Sequence, residues 1–138
     1  MEVRGIEQII NGILEDLGYP ADACYVAPNL WEISRGSARI SISYDRNSGF
    51  LYGDARLCLI PDDPPYELLA YLLNYNDSSG RLRLSVKDRA VILSWSAYDK
   101  YLDAYPAEQL IAKHLQEADD LDNYLVQHFG CKWPGTDN

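Results

Sequence analysis

The sequence is poor in the residue types on which most site chemistry is built. Its 138 residues include only two histidines, one methionine and two phenylalanines. Three cysteines, Cys24, Cys58 and Cys131, are odd in number and far apart, with no CxxC pair. That pattern points away from a zinc knuckle or a thioredoxin-type site and towards free thiols in a reducing cytosol. His114 and His128 fall on one predicted helix, where a fourteen-residue rise separates them by about 21 Å, too far to share a metal or a proton. No GxSxG, HExxH, GxxxxGK[ST] or GxGxxG occurs, and EF-hand spacing is missing too. The chain is therefore expected to be non-enzymatic, with no catalytic residue, no metal ligands and no cofactor.

Cations are scarce as well. Twelve Lys and Arg stand against 21 Asp and Glu, a net charge of −9. A nucleic-acid or anionic-membrane partner is not expected, because phosphate recognition runs on an excess of positive charge. No apolar run approaches the roughly 18 residues of a membrane span. The opening MEVRGIEQIINGILEDLG sets acids among its apolar residues, so no secretory leader is expected. These features predict a cytoplasmic protein. An apolar fraction of 47% and a charged fraction of 24% suit one globular domain able to bury its own core.

What is present is clear periodicity. Residues 2–17 repeat apolar side chains at three-and-four spacing, from Val3 to Leu17, and predict an amphipathic helix stopped by Gly18 and Pro20. Gly12 inside that helix suggests a close packing contact. Residues 29–60 read as three strands. The second alternates Ala38, Ile40, Ile42 and Tyr44 with Arg39, Ser41 and Ser43. In the third, Gly53 falls in the inward set and suggests a bulge, while Cys58 falls on the opposite face. Asp63 is expected to cap a helix from Pro64 through YELLAYLLNY, residues 66–75. Two further strands follow, over 81–87 and 90–97. A long helix then runs from Pro106 to Phe129, with Gly130 as its C-cap. The predicted fold is α+β, in the order helix-βββ-helix-ββ-helix. Its antiparallel sheet carries the long N- and C-terminal helices on one face. One domain is expected over residues 1–130, with 131–138 as a loosely ordered tail.

His114 lies in the apolar stripe of the last helix, as a hydrogen-bonded core histidine would. His128 sits in the last turn, where the helix dipole favours a cation. Glu117, Asp119, Asp120 and Asp122 form an acidic run, read as an exposed patch able to dock a partner. Eight of the twelve cations belong to the strands and their turns, whereas residues 99–138 carry a net of −5. The polar sheet face should thus be basic and Ser-rich, first of all because Arg and Ser are what an exposed strand face ordinarily carries; the sharper reading is a face that takes a peptide or an acidic partner.

The segment DDPPYELLAYLLNYNDSSGRLRLSVKDRAVILSW, with its Leu72-Leu73-Asn74-Tyr75-Asn76 run, resembles the middle region of type III secretion chaperones and of the YbjN-like family that shares their fold. The long C-terminal helix with a di-aspartate region adds to the likeness. The resemblance implies a non-enzymatic homodimer that binds another polypeptide as a chaperone or adaptor. It also implies that the middle helix and following hairpin build the interface, here Tyr66, Leu69, Tyr71, Leu72, Leu73, Tyr75, Leu82 and Leu84. YELLAYLLNY is apolar on more than one face, which agrees. The other reading is a small regulatory or sensory module acting through the acidic helix.

Overall fold

The computed structural model describes residues 3–134. Helix α1 spans Val3–Asp16 and α2 Ala21–Cys24; strand β1 spans Tyr25–Ala27, β2 Leu30–Arg35, β3 Ala38–Asp45 and β4 Phe50–Leu59. Helix α3 covers Tyr66–Ser78, β5 Arg83–Lys87 and β6 Ala90–Tyr98, and a 3₁₀ turn at Asp99–Tyr101 leads into α4, Ala104–Phe129. The six strands form one antiparallel sheet in the order β1-β2-β3-β4-β6-β5. Two short elements, α2 and β1, were not expected from the sequence. Glu2 lies outside the described residues.

Strand alternation sends one set of side chains inward. Ile33, Ile40, Ala55, Leu93 and Leu84 stand side by side across five strands, and each is buried. Trp31, Ile42, Gly53 and Trp95 form the next row. Helix α4 crosses this face with Ala107, Leu110, Ile111, Leu115, Ala118, Leu121 and Leu125 buried. Helix α1 lies beside it, sinking Ile6, Ile10, Ile13 and Leu14 into the same core. The Trp31 indole donates to Asn11 Oδ1 at 2.9 Å, tying β2 to α1.

Several local expectations are corrected. Gly53 marks no bulge: the Trp95 indole fills the space its Cβ would take. The irregularity falls between Arg56 and Cys58, and it turns Cys58 inward with Leu57 and Leu59. Gly12 is exposed, and a Cβ there would meet nothing within 4 Å. Helix α3 begins after Pro65, not at Pro64, because a proline forces the residue before it into extended backbone. Asp63 is therefore too far upstream to cap it. Helix α4 begins at Ala104, placing Pro106 third in its first turn, where its missing N–H has no intrahelical partner to lose. Past Gly130, in left-handed backbone at φ 70°, the chain stays in the fold. Cys131 is buried, and Lys132 exchanges hydrogen bonds of 2.7 and 2.9 Å with Leu59. Residues 135–138 of the expected tail lie outside the described residues.

Candidate functional site

Helix α3 divides its apolar residues between two faces. Leu68 and Leu72, four apart, are buried against the sheet. Tyr66, Leu69 and Leu73 share the other side at three- and four-residue spacing, and they are exposed, Tyr66 by 79% and Leu73 by 72%. Tyr71 and Tyr75 lean towards α4. The Tyr71 ring lies 5.1 Å from Tyr124 and 5.7 Å from Phe129. The Tyr75 hydroxyl donates to Glu117 Oε1 at 2.7 Å, and burial together with that carboxylate pushes its phenol above the ordinary range. At the end of α3, Asn76 donates from Nδ2 to the Leu84 carbonyl at 2.9 Å, and its Oδ1 accepts the Leu84 N–H at 2.7 Å. Of the eight residues predicted to form an interface, Leu72, Leu82 and Leu84 are thus spent in the chain's own core. Tyr66, Leu69 and Leu73 form the free stripe, with exposed Val86 on neighbouring β5.

The acidic run is not the uniformly solvated patch expected. Asp120 faces solvent, but Glu117 accepts from Tyr75, and Asp122 is only 1% exposed. The Ser37 hydroxyl, in the β2–β3 turn, donates to Asp122 Oδ2 at 2.8 Å, and Oδ1 has no hydrogen-bond partner among the described residues. Burial above all, with Asp119 and Asp120 nearby, raises the Asp122 carboxyl; the Ser37 bond opposes the rise. The signal was available in the sequence. Asp122 lies four residues after Ala118 and three before Leu125, inside the buried stripe.

The opposite face of the sheet carries no helix among the described residues. Arg39, Ser41, Arg56, Lys87, Ile92 and Ser94 line a hollow of about 620 Å³ there. A second, of about 500 Å³, continues past Asp54 and Ser94 to Tyr52, Arg81, Arg83 and Ser96. Arg81 donates to the Ser96 carbonyl at 2.8 Å, and Arg83 to the Leu82 carbonyl at 2.8 Å. Among the described residues the one ion pair is Arg89–Asp62, at 2.8 Å, so none of these cations is ion-paired there. Burial raises the Asp54 carboxyl. Beyond Tyr52 the rings of Phe50, Tyr98 and Tyr101 follow at centroid separations of 6.2, 5.2 and 5.7 Å.

Both histidines and two of the three cysteines interact within the chain. His114 is 1% exposed. Its Nδ1 accepts the Trp95 indole N–H at 3.1 Å, which leaves the proton on Nε2 to be donated to the Leu93 carbonyl at 2.8 Å. Burial lowers its pKa to about 4, so the ring is neutral and both nitrogens are occupied. His128 stacks on Tyr124 at 4.2 Å with Nδ1 3.2 Å from that residue's carbonyl, in the last turn as expected. Cys58 and Cys131 are both buried in the core; interaction with Cys131 and burial push the Cys58 thiol up, and interaction with Cys58 draws Cys131 down. No three His, Cys, Asp or Glu side chains are grouped to hold a metal among the described residues, and no helix there is long and apolar enough to cross a membrane.

No protein-family model and no curated protein matches the chain. Solved structures do. The ExsC–ExsE complex contains a chain 13% identical to this one, with a TM-score of 0.68 over 91% of this chain and 97% of that one. The Yersinia pestis type III secretion chaperone SycH, in complex with a fragment of YscM2, is 12% identical with a TM-score of 0.61 over 83% and 98%. YbjN from E. coli is 13% identical with a TM-score of 0.66 over 92% and 95%. The chain has the α+β fold that type III secretion chaperones and YbjN share.

Proposed function

We propose that this chain is a non-enzymatic protein that binds another polypeptide, as a chaperone or adaptor, and that it works as a homodimer joined through α3. The observation that carries this is the exposed row of Tyr66, Leu69 and Leu73. A lone exposed leucine is ordinary, but three large apolar side chains aligned on one helix face cost free energy unless another surface covers them. The fold supports the same reading, since structures that share it hold protein partners. Three free, buried thiols suit a reducing, cytoplasmic setting.

Light scattering on the eluting protein tests the dimer. The expected mass is about twice 15.7 kDa, falling to 15.7 kDa in Leu69→Glu and Leu73→Glu variants that keep their circular dichroism; a wild-type monomer overturns it. A photo-reactive residue at position 73, or at exposed Tyr105, tests polypeptide binding in the native cell. Adducts with one discrete second polypeptide are expected. Adducts only with the chain itself, from both positions, refute a chaperone or adaptor role.

A further inference from the structure

We infer that the helix-free face of the sheet is a docking groove for an acidic, extended segment of the partner polypeptide. This rests on the polypeptide-binding reading and gives it a place and a chemistry.

The first argument is charge. The two joined hollows contain Arg39, Arg56, Lys87, Arg81 and Arg83 against Glu32 and Asp54, five cations to two acids. That excess of three lies on a chain of net −9, so everything outside the groove carries −12. An acidic segment is therefore repelled elsewhere and drawn to this face, where a concave wall focuses the field. None of the five cations forms an ion pair with a carboxylate among the described residues. Arg83 and Arg81 are held in place by backbone carbonyls, which orient a guanidinium without cancelling its charge.

The second argument is shape. Arg56 lies beside Ile92 and Ser85 in one row across the sheet, Asp54 beside Ser94 and Arg83 in the next, and Tyr52 beside Ser96 in the third, where the Arg81 side chain reaches the Ser96 carbonyl. Same-face rows are about 7 Å apart along the strands, so the groove runs about 14 Å, the reach of four extended residues. Serine hydroxyls on its floor donate and accept, which suits a peptide backbone. Asp54, in the middle, discriminates. A peptide can place an uncharged residue opposite it, whereas a nucleic-acid backbone brings charge at every step.

Fluorescence anisotropy with a labelled peptide of about eight alternating Glu and Ser residues, long enough to fill the groove, tests this on the full chain. Gln-Ser and Lys-Ser peptides and oligo-dT serve as competitors. The Glu-Ser peptide should bind at low salt, weaken with added salt, and lose at least about tenfold in affinity in Arg39→Glu/Arg56→Glu. Arg39→Gln/Arg56→Gln should lie between, and Lys113→Gln, which removes an exposed cation outside the groove, should bind normally. Binding that ignores the arginine substitutions, or oligo-dT binding more tightly than the peptide, overturns the groove. In the cell, a photo-reactive residue at position 39 separates the two proposals. Adducts with a second polypeptide from 73 or 105 but not from 39 sink the groove alone; adducts from 39 that excess Glu-Ser peptide suppresses support it, adducts from 39 that it leaves untouched overturn it, and adducts from none of the three sink both.

Discussion

Gly53 and Trp95 stand opposite each other in register on β4 and β6, and the indole occupies the volume of an absent side chain. Gly53→Ala should overpack this site and cost about 1–3 kcal/mol, read as a lowered denaturant midpoint. The same indole donates to His114, and that pair sets a pH dependence. The folded pKa of His114 is lowered to about 4 from 6.5. Between those values the unfolded chain binds the proton and the folded chain does not, so stability is full above pH 6.5 and is lost as pH falls towards 4. The loss reaches about 3 kcal/mol. Urea melts from pH 7 to 4 should show the decline, with a shallower slope in His114→Gln. His114 was legible as a core residue because helical spacing alone puts it in the apolar stripe. Asp122 was misread at the same scale: its neighbours in sequence are acids, but its neighbours one helical turn away are buried.

The long elements were readable because each repeats its signal over several turns or pleats. Alternation over residues 38–45 and three-and-four spacing in α4 survive any local exception. The elements that escaped, α2 and β1, are four and three residues long and complete no period. Both helix starts that differ from expectation lie at prolines, Pro64 and Pro65 before α3 and the single Pro106 in α4. At α4 this has a physical reading: Asp103 caps without a side-chain hydrogen bond, and Pro106, third in the helix, lacks the N–H such a cap would seek. Gly12 shows the opposite case, a glycine with no structural task. With exposed space around it, Gly12→Ala should stabilise α1 by about 1 kcal/mol, raising the thermal midpoint. Of the candidate site, the apolar excess of YELLAYLLNY was visible in advance. Which of its leucines stay free was not, because that depends on where α3 meets β5.

For the whole molecule, three layers follow from one division of charge and apolarity: acidic helices, a buried sheet face, and a basic Ser-rich sheet face left open. Cys24, Cys58 and Cys131 all lie in the middle layer. A thiol reagent should therefore react slowly with the native protein and count three thiols promptly once it is unfolded. The open layer explains why net charge alone misleads here. A value of −9 describes the average of two unlike surfaces, and a partner meets only one of them.

The two hydrogen bonds between Asn76 and Leu84 have a consequence for how copies of the chain meet in a crowded solution. Strand β5 ends the sheet, and an uncovered end strand is a template on which further chains can stack without limit. The Asn76 amide holds the Leu84 backbone groups that an incoming strand would need, and so acts as a guard against fibrillar aggregation. Asn76→Ala should leave the fold and the groove unchanged in circular dichroism and peptide binding. It should nevertheless raise thioflavin-positive aggregate on prolonged incubation, while the parent chain stays clear.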